Sequence, residues 1–324
     1  MDISILMSTF NEEPAQLIQA VNSILQQTYQ FKELIIVLDN PNRQDLKDIL
    51  VKFSQDDDRV KPIFNSLNIG LAQSLNKAAA AANSEVFARM DADDIAFPNR
   101  LEVEVARLQE YKLDVISANI VYIDNQGNEI GEKSAVPENS NVIANTLFFG
   151  STIIHPTVLI RAEAFNRVGG YRPLPTAEDY DLWLRLLDSG AKIGAIDQTL
   201  LKYRIRDNSM TSNARKTFVV NNYIRLLCKQ RRKYHSMRDD FSMVSMKNHF
   251  NKARLDDKLC EVHFNNGQQH FEKAMSEVKE HKFFASIFQI LMCIFSGKEN
   301  AKTVFNYLYF RLLLVINEVR YGVA

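Results

Sequence analysis

The sequence predicts an α/β fold, a sheet flanked by helices, followed by a mainly α-helical C-terminal region. Short β-branched runs alternate with helix-patterned segments up to about residue 97, the pattern of parallel strands joined by right-handed helical crossovers. The fourth such run ends in a cluster of carboxylates, at the kind of strand edge where open α/β sheets bind ligands. From Thr211 onward the chain turns helical, basic and aromatic.

Ile3 to Met7 reads as a buried strand. Pro14 sits near a first helical turn, where its missing N–H costs nothing, and Leu17, Ile18, Val21, Ile24 and Leu25 then repeat on one face. Leu34 to Leu38 is a second, fully apolar strand; Arg43 to Phe53 is helical and Val60 to Phe64 extended. An alanine-rich helix over Leu71 to Ala82 is entered through Asn68 and Gly70, and Val86 to Met90 is a strand ending at Asp91. After Pro98 a helix runs to about Tyr111, then Val115 to Ile123 is a strand closed by a turn over Asp124 to Asn128. The organisation expected is a catalytic domain over 1–210, with halves of about 1–97 and 98–210, and a helical region over 211–324.

At 324 residues, with 46% hydrophobic and 24% charged side chains, the chain is globular and too long for a disulfide-stapled miniprotein. Its 39 basic residues balance 39 acidic ones, which argues against nucleic acid as a partner. Cys228, Cys260 and Cys293 lack metal-ligand spacing and read as packing thiols in a reducing compartment. The start MDISILMSTF has neither the basic segment nor the apolar core of a signal peptide, so a cytoplasmic location is expected. Phe283 to Phe295 falls short of the roughly 20 apolar residues of a membrane span, but it could be buried or lie on a membrane.

Two clusters carry chemistry. Arg89 to Asp94 places three carboxylates within four positions; crowded carboxylates repel unless a cation neutralises them, and oxygen donors suit Mg²⁺ or Mn²⁺. The alternative is a solvated turn of capping aspartates. Glu178 and Asp179 precede a helix with the apolar face Leu182, Trp183, Leu186 and Leu187. Acids at that position cap a helix and suit its dipole, or one of them accepts a proton from an attacking hydroxyl.

STFNEE at Ser8 to Glu13, LD at Leu38 and Asp39, NIG at Asn68 to Gly70 with Asn76 beyond it, and RMDADD at Arg89 to Asp94 resemble the nucleotide-sugar half of family 2 inverting glycosyltransferases. HPTVLIR at His155 to Arg161, GGY at Gly169 to Tyr171 and AEDYDLWLRL at Ala177 to Leu186 follow in that family's order. The resemblance covers residues 3 to about 210 and is to bacterial O-antigen, capsule and exopolysaccharide enzymes. It implies a GT-A, Rossmann-like mixed sheet, a UDP-sugar donor and dependence on Mn²⁺ or Mg²⁺. Carried over by position, Thr9, Asn11, Glu12, Asp39, Asn68, Asn76, Arg89, Asp91 and Asp94 bind the donor, with Asp39 on the uracil and Asp91 on the ribose. Asp93 ligates the metal, Asp179 is the base, Glu178 positions base or acceptor, and Asp181 is structural. His155 stays outside the catalytic set, read as structural or as a bond to an acceptor hydroxyl.

Two departures from the family pattern stand out. Asp39 is followed by Asn40, Pro41 and Asn42 instead of a second acid. In YRIRDNSMT, Arg206 replaces a histidine common in relatives; arginine cannot ligate a metal, but its fork can pair with the leaving diphosphate, or it is a surface residue.

The resemblance implies a hexose or N-acetylhexosamine passed to a saccharide acceptor, carried on a polyprenyl diphosphate at the inner face of the plasma membrane. Other acceptors, as in capsule or lipopolysaccharide-core synthesis, and a degenerate nucleotide-sugar-binding scaffold remain alternatives. The basic block Lys229 to Lys233, with the aromatic segments after it, reads either as a peripheral contact with anionic lipid or as part of a packed hairpin or homodimer interface.

Overall fold

The computed structural model of the chain describes residues 1–133, 136–205 and 213–321. These form two compact units. The first comprises Met1–Ala144, Thr152–Leu174 and the chain from Glu178 onward through the last strand; the second comprises Asn145–Ser151, Pro175–Ala177 and the C-terminal helices.

The first unit opens with β1 (Ile3–Thr9), α1 (Pro14–Leu25), β2 (Glu33–Leu38), α2 (Gln44–Asp56), β3 (Val60–Phe64), α3 (Leu71–Ala81) and β4 (Val86–Asp91). It continues through β5 (Ile95–Ala96), α4 (Arg100–Glu110), β6 (Val115–Ile123), β7 (Glu129–Glu132) and α5 (Ser140–Thr146), the last running into the second unit. A 3₁₀ turn at His155–Thr157 leads to β8 (Leu159–Arg161), α6 (Ala162–Arg167), α7 (Glu178–Asp188) and β9 (Ile193–Arg204). The strands make one mixed sheet in the order β3-β2-β1-β4-β8-β6-β9-β5, with β7 paired to β6.

The first four strands are parallel, as their helical crossovers require. β1 and β2 are almost wholly buried, which explains their unbroken apolar runs. In α1, Pro14 occupies the first turn, and Leu17, Ala20, Val21 and Ile24 face the core. Ile18 turns outward, because the buried stripe follows the i, i+3, i+4, i+7 positions counted from Leu17. Register brings Ser8 beside Asp91 and Thr9 beside Leu38, so the ends of β1, β2 and β4 form one edge. The sheet departs from parallel at β8, which runs antiparallel between β4 and β6.

The second unit is built mainly from α8 (Ala214–Tyr234), α9 (Met243–Lys252), α10 (Lys258–Lys279), α11 (Phe283–Phe295) and α12 (Lys298–Tyr321). The structure separates the cations of the block Lys229 to Lys233: Lys229, Arg232 and Lys233 are exposed, and Arg231 is buried. Arg231 is 1% exposed and ion-paired to Asp239. Lys229 and Arg232 lie over the Phe148 ring, 5.7 and 5.4 Å from its centroid, while Arg225 donates to the Phe148 and Phe149 carbonyls. The helical period is the reason: a run of five residues winds past a full turn, and Arg231 falls on the buried stripe of Ile224, Leu227 and Cys228.

Candidate active site

Each polar group at the sheet edge is set by the strand that ends beneath it. After β1, Glu12 Oε2 accepts from Thr9 Oγ1 and from the Phe10 N–H, both at 2.6 Å, folding the STFNEE loop on itself. Asn40 Nδ2 donates to Asn11 Oδ1 at 2.7 Å, and Arg43 Nη2 to the Glu12 carbonyl at 2.9 Å, so the loops after β1 and β2 are stitched together. Asn40 thus fills the place of the missing second acid with a structural bond.

Asp39 is buried. It accepts from Asn65 Nδ2 (2.8 Å), the Ile69 N–H (2.9 Å) and the Gly70 N–H (2.7 Å). A carboxylate accepts about four hydrogen bonds, so Asp39 chiefly shapes the loop into α3. Asn68 assists through Oδ1, which also accepts from the Gly70 N–H, and Gly70 adopts φ 84°, open to glycine at little cost. Lys77 Nζ anchors Asn65 at 2.6 Å. Neither Asn65 nor Lys77 stood out in the sequence, since Asn65 is brought to Asp39 by the end of β3 and Lys77 to Asn65 by α3.

At the end of β4, Arg89 Nη2 meets Asp91 Oδ1 at 2.5 Å. Burial opposes the Arg89 charge, but the Asp91 carboxylate outweighs it and holds the guanidinium above its ordinary pKa. Its Nε and Nη1 are buried with no hydrogen-bond partner among the described residues. Such unsatisfied donors are costly in a folded protein and are found where a ligand completes them. Beneath β4, Arg100 donates from Nη2 to the Arg89 carbonyl at 2.8 Å and from Nε to Glu104 Oε1 at 3.0 Å, both side chains fully buried.

The DADD turn is fixed by Arg204 at the end of β9. Its N–H donates to Asp94 Oδ1, its Nε to the Asp93 carbonyl, and its Nη1 to the carbonyls of Asp124 and Asn125, all within 2.9 Å. Asp94 is buried, its Oδ2 lacks a partner among the described residues, and burial followed by the charges of Asp91 and Asp93 pushes its pKa well up. Arg204 is the residue that sequence reading missed in YRIRDNSMT. Arg206, singled out there, lies outside the described residues.

Among the described residues no three His, Cys, Asp or Glu side chains converge on a ready-made metal site. Mg²⁺ and Mn²⁺, however, are commonly held by one or two carboxylates plus substrate phosphates. The surplus negative charge registered at Asp94, with oxygen donors at Asp91 and Asp93, fits a metal that arrives with a diphosphate.

The acid pair closes the other side. Glu178 is buried at the start of α7 and pushed up to about 7, by burial first and then by the Asp179 charge. Burial also raises Asp179, while the Tyr180 N–H, donating to its Oδ1 at 2.7 Å, and the charge of Arg89 pull the other way. His155 Nε2 and Tyr171 Oη are 2.7 Å apart, and the His155 ring packs edge-on against Trp183. Burial, then Arg89, keeps the imidazole well below its usual pKa and hence neutral. Asn76 exchanges two bonds with the Tyr171 backbone, at 2.8 and 2.9 Å, so its amide clamps the GGY turn. Gly170, with φ 67°, leaves no room for a Cβ, which would fall 2.6 Å from Asn76 Oδ1. Asp181 is fully buried against Arg185 at 2.7 Å, and Arg185 in turn donates to the carbonyls of Val168 and Gly170.

The charge of Arg89 reaches Asp94, His155, Tyr171, Glu178 and Asp179 as well as Asp91. The β4 tip and the acid pair are therefore one electrostatic site. A pH test follows from Glu178. Its folded pKa of about 7 exceeds the ordinary 4.5, so ionising it opposes folding. The penalty is absent below about pH 4.5 and grows to its full size as pH rises through 7. Glu178→Gln should therefore melt higher than wild type at pH 8, by roughly 2–4 kcal/mol of stability, and the gain should shrink toward pH 5. Thermal melts across that range check it; a pH-independent difference would remove the charge from the explanation.

Relatives of known sequence add lineage to this geometry. The family model for glycosyl transferase family 2 matches residues 4–169, just over half of the chain. The chain belongs to glycosyl transferase family 2. Other members include the O-antigen biosynthesis glycosyltransferase WbnJ of Escherichia coli, 33% identical over 60% of this chain and 76% of its own length. WfgD of Escherichia coli, a UDP-Glc:alpha-D-GlcNAc-diphosphoundecaprenol beta-1,3-glucosyltransferase, is 30% identical over 65% of this chain and 80% of its own. Among solved structures, S. aureus TarS 1-349 in complex with UDP aligns over 99% of this chain and 92% of its own, at 17% identity and a TM-score of 0.57. The longer TarS chain is matched over 42% of its length. The family 2 member described here thus has the GT-A fold and is a transferase enzyme.

Proposed function

We propose that this family 2 transferase moves a hexose or N-acetylhexosamine, with inversion, from a UDP-sugar to a saccharide acceptor in surface polysaccharide assembly. The acceptor would be carried on a lipid diphosphate. The observation that carries this reading is Arg89: a buried guanidinium bound to Asp91 at the nucleotide edge, with unfilled donors, within electrostatic reach of the acid pair. One side chain links the place for a diphosphate to the place for a base. The UDP complex of TarS supports the donor class, and the names of WbnJ and WfgD support the acceptor class.

The chemistry needs little beyond these groups. Asp179 removes the proton from the acceptor hydroxyl as that oxygen attacks the anomeric carbon. The bond from that carbon to the UDP oxygen breaks on the opposite face, and the electron pair leaves with the diphosphate. Arg89 stabilises the charge gathering there with its spare N–H groups. Glu178, its pKa pushed up to about 7, keeps a proton well above the ordinary glutamate range and holds Asp179 or the acceptor by a hydrogen bond. Asp93, with Asp91, would hold Mn²⁺ or Mg²⁺ against the diphosphate, and such a metal neutralises the leaving group. A binding scaffold with a spent site would have no need to keep Asp179 where desolvation raises its pKa.

The test is a screen of UDP-sugars for slow hydrolysis with Mn²⁺, with Mg²⁺ and with EDTA, since water can replace an unknown acceptor. At least one donor should be hydrolysed, and EDTA should abolish the activity. Binding of UDP without hydrolysis of any donor, together with no transfer to lipid-linked saccharides, would favour the scaffold.

A further inference from the structure

α11 is built inside out. Its buried positions include Ser286 and Gln289, with Gln289 Oε1 2.7 Å from His270 Nδ1 of α10, while Phe283, Phe284, Ile287, Phe288, Leu291 and Phe295 face outward. Phe284 is 92% exposed and Phe295 82%. α12 repeats the inversion. It buries Asn300 and Asn317, bonded to Gln268 and Asn145, and exposes Phe305, Leu308, Leu312, Val315, Ile316 and Val319 along one stripe. In water the hydrophobic effect sorts side chains the other way, and exposed apolar surfaces of this extent mark interaction sites.

The charges indicate what covers them. From Lys282 to Tyr321 the sequence holds five Lys and Arg against two Glu, and one of these, Glu299, is taken by Arg215. α11 itself carries no charge. On α12 the helical period puts Arg311 just beyond one border of the stripe, beside Val315, and Lys302 and Arg320 just beyond the other, beside Tyr309. Cations edging an apolar stripe suit a bilayer, where their stems follow the acyl boundary and their heads reach phosphates. A second copy would instead bring like charges together. No helix among the described residues is long and apolar enough to cross a membrane.

We propose that the outward faces of α11 and α12 seat the protein on an acidic phospholipid surface, lying in the headgroup boundary. This names the surface on which a lipid-carried acceptor would be met, yet its test needs neither donor nor transfer.

The full chain, without donor, is co-sedimented with phosphatidylcholine vesicles and with vesicles that also contain phosphatidylglycerol, and its mass in solution is measured by sedimentation velocity. Binding to the mixed vesicles, with little to the neutral ones, is expected. A Phe284→Gln/Phe288→Gln/Phe295→Gln variant should bind roughly tenfold or more weakly with unchanged helical circular dichroism, since these side chains make no core. Arg311→Glu/Arg320→Glu, which leaves the apolar face intact, should show a similar loss on acidic vesicles only. Absence of binding, equal binding to both vesicles, or full binding by either variant would overturn the proposal. So would a dimer that the triple variant dissolves, which would make a second copy the occupant.

Discussion

Asp179→Asn is expected to lower transfer roughly a hundredfold or more while leaving UDP-sugar binding and the melting temperature close to wild type. The amide keeps the size of the side chain and can still accept the Tyr180 N–H at the Asp179 Oδ1 position. It also removes a charge that burial already opposes, so the fold has no reason to weaken. What is lost is the lone pair that takes the acceptor proton. Steady-state transfer assays with calorimetric binding of UDP separate the two effects. Wild-type transfer by the variant would return Asp179 to the role of a helix cap, and loss of UDP binding would place it on the donor.

The second large effect is at the DADD turn. Asp93→Ala should abolish turnover and the part of UDP binding that depends on metal. The turn itself should survive, because Arg204 grips the Asp93 carbonyl, which alanine retains, and the Asp94 carboxylate, which is untouched. UDP titration in Mn²⁺ and in EDTA reads this out: wild type should bind far more tightly with metal, and the variant equally with and without it. Undiminished wild-type turnover in EDTA would end the metal reading.

Much of the site was legible because the first four strands are parallel and joined by helices. Parallel strands joined by helices leave their ends on one edge, so the residues closing β1, β2 and β4 had to meet. The acid pair was legible only as a choice between capping and chemistry, and it is the buried Glu178 and half-buried Asp179, both within reach of the Arg89 charge, that give the choice physical content. Other features were not local properties at all. β8 is three residues long, too short to carry a period, and its antiparallel place between β4 and β6 is a matter of topology. Arg204 is one of two arginines in YRIRDN, and nothing in that pattern marks it as reaching the DADD turn. The basic block left its alternatives open because a charge run gives composition, whereas the fold of α8 decides which of its cations see water.

The placing of β8 bears on how the chain can be made. During synthesis, β4 is finished by residue 91, yet one of its two neighbours arrives only at residues 159–161. For roughly seventy residues of elongation, at about 5–20 residues per second, the nascent domain would carry an open sheet edge of strongly β-forming sequence. β5 waits longer still, until β9 supplies Leu201 and Lys202. The strands before and after residue 97 are thus interleaved in one sheet, and a gene fragment ending near residue 97 would encode a surface prone to stick to its own kind instead of a separable module.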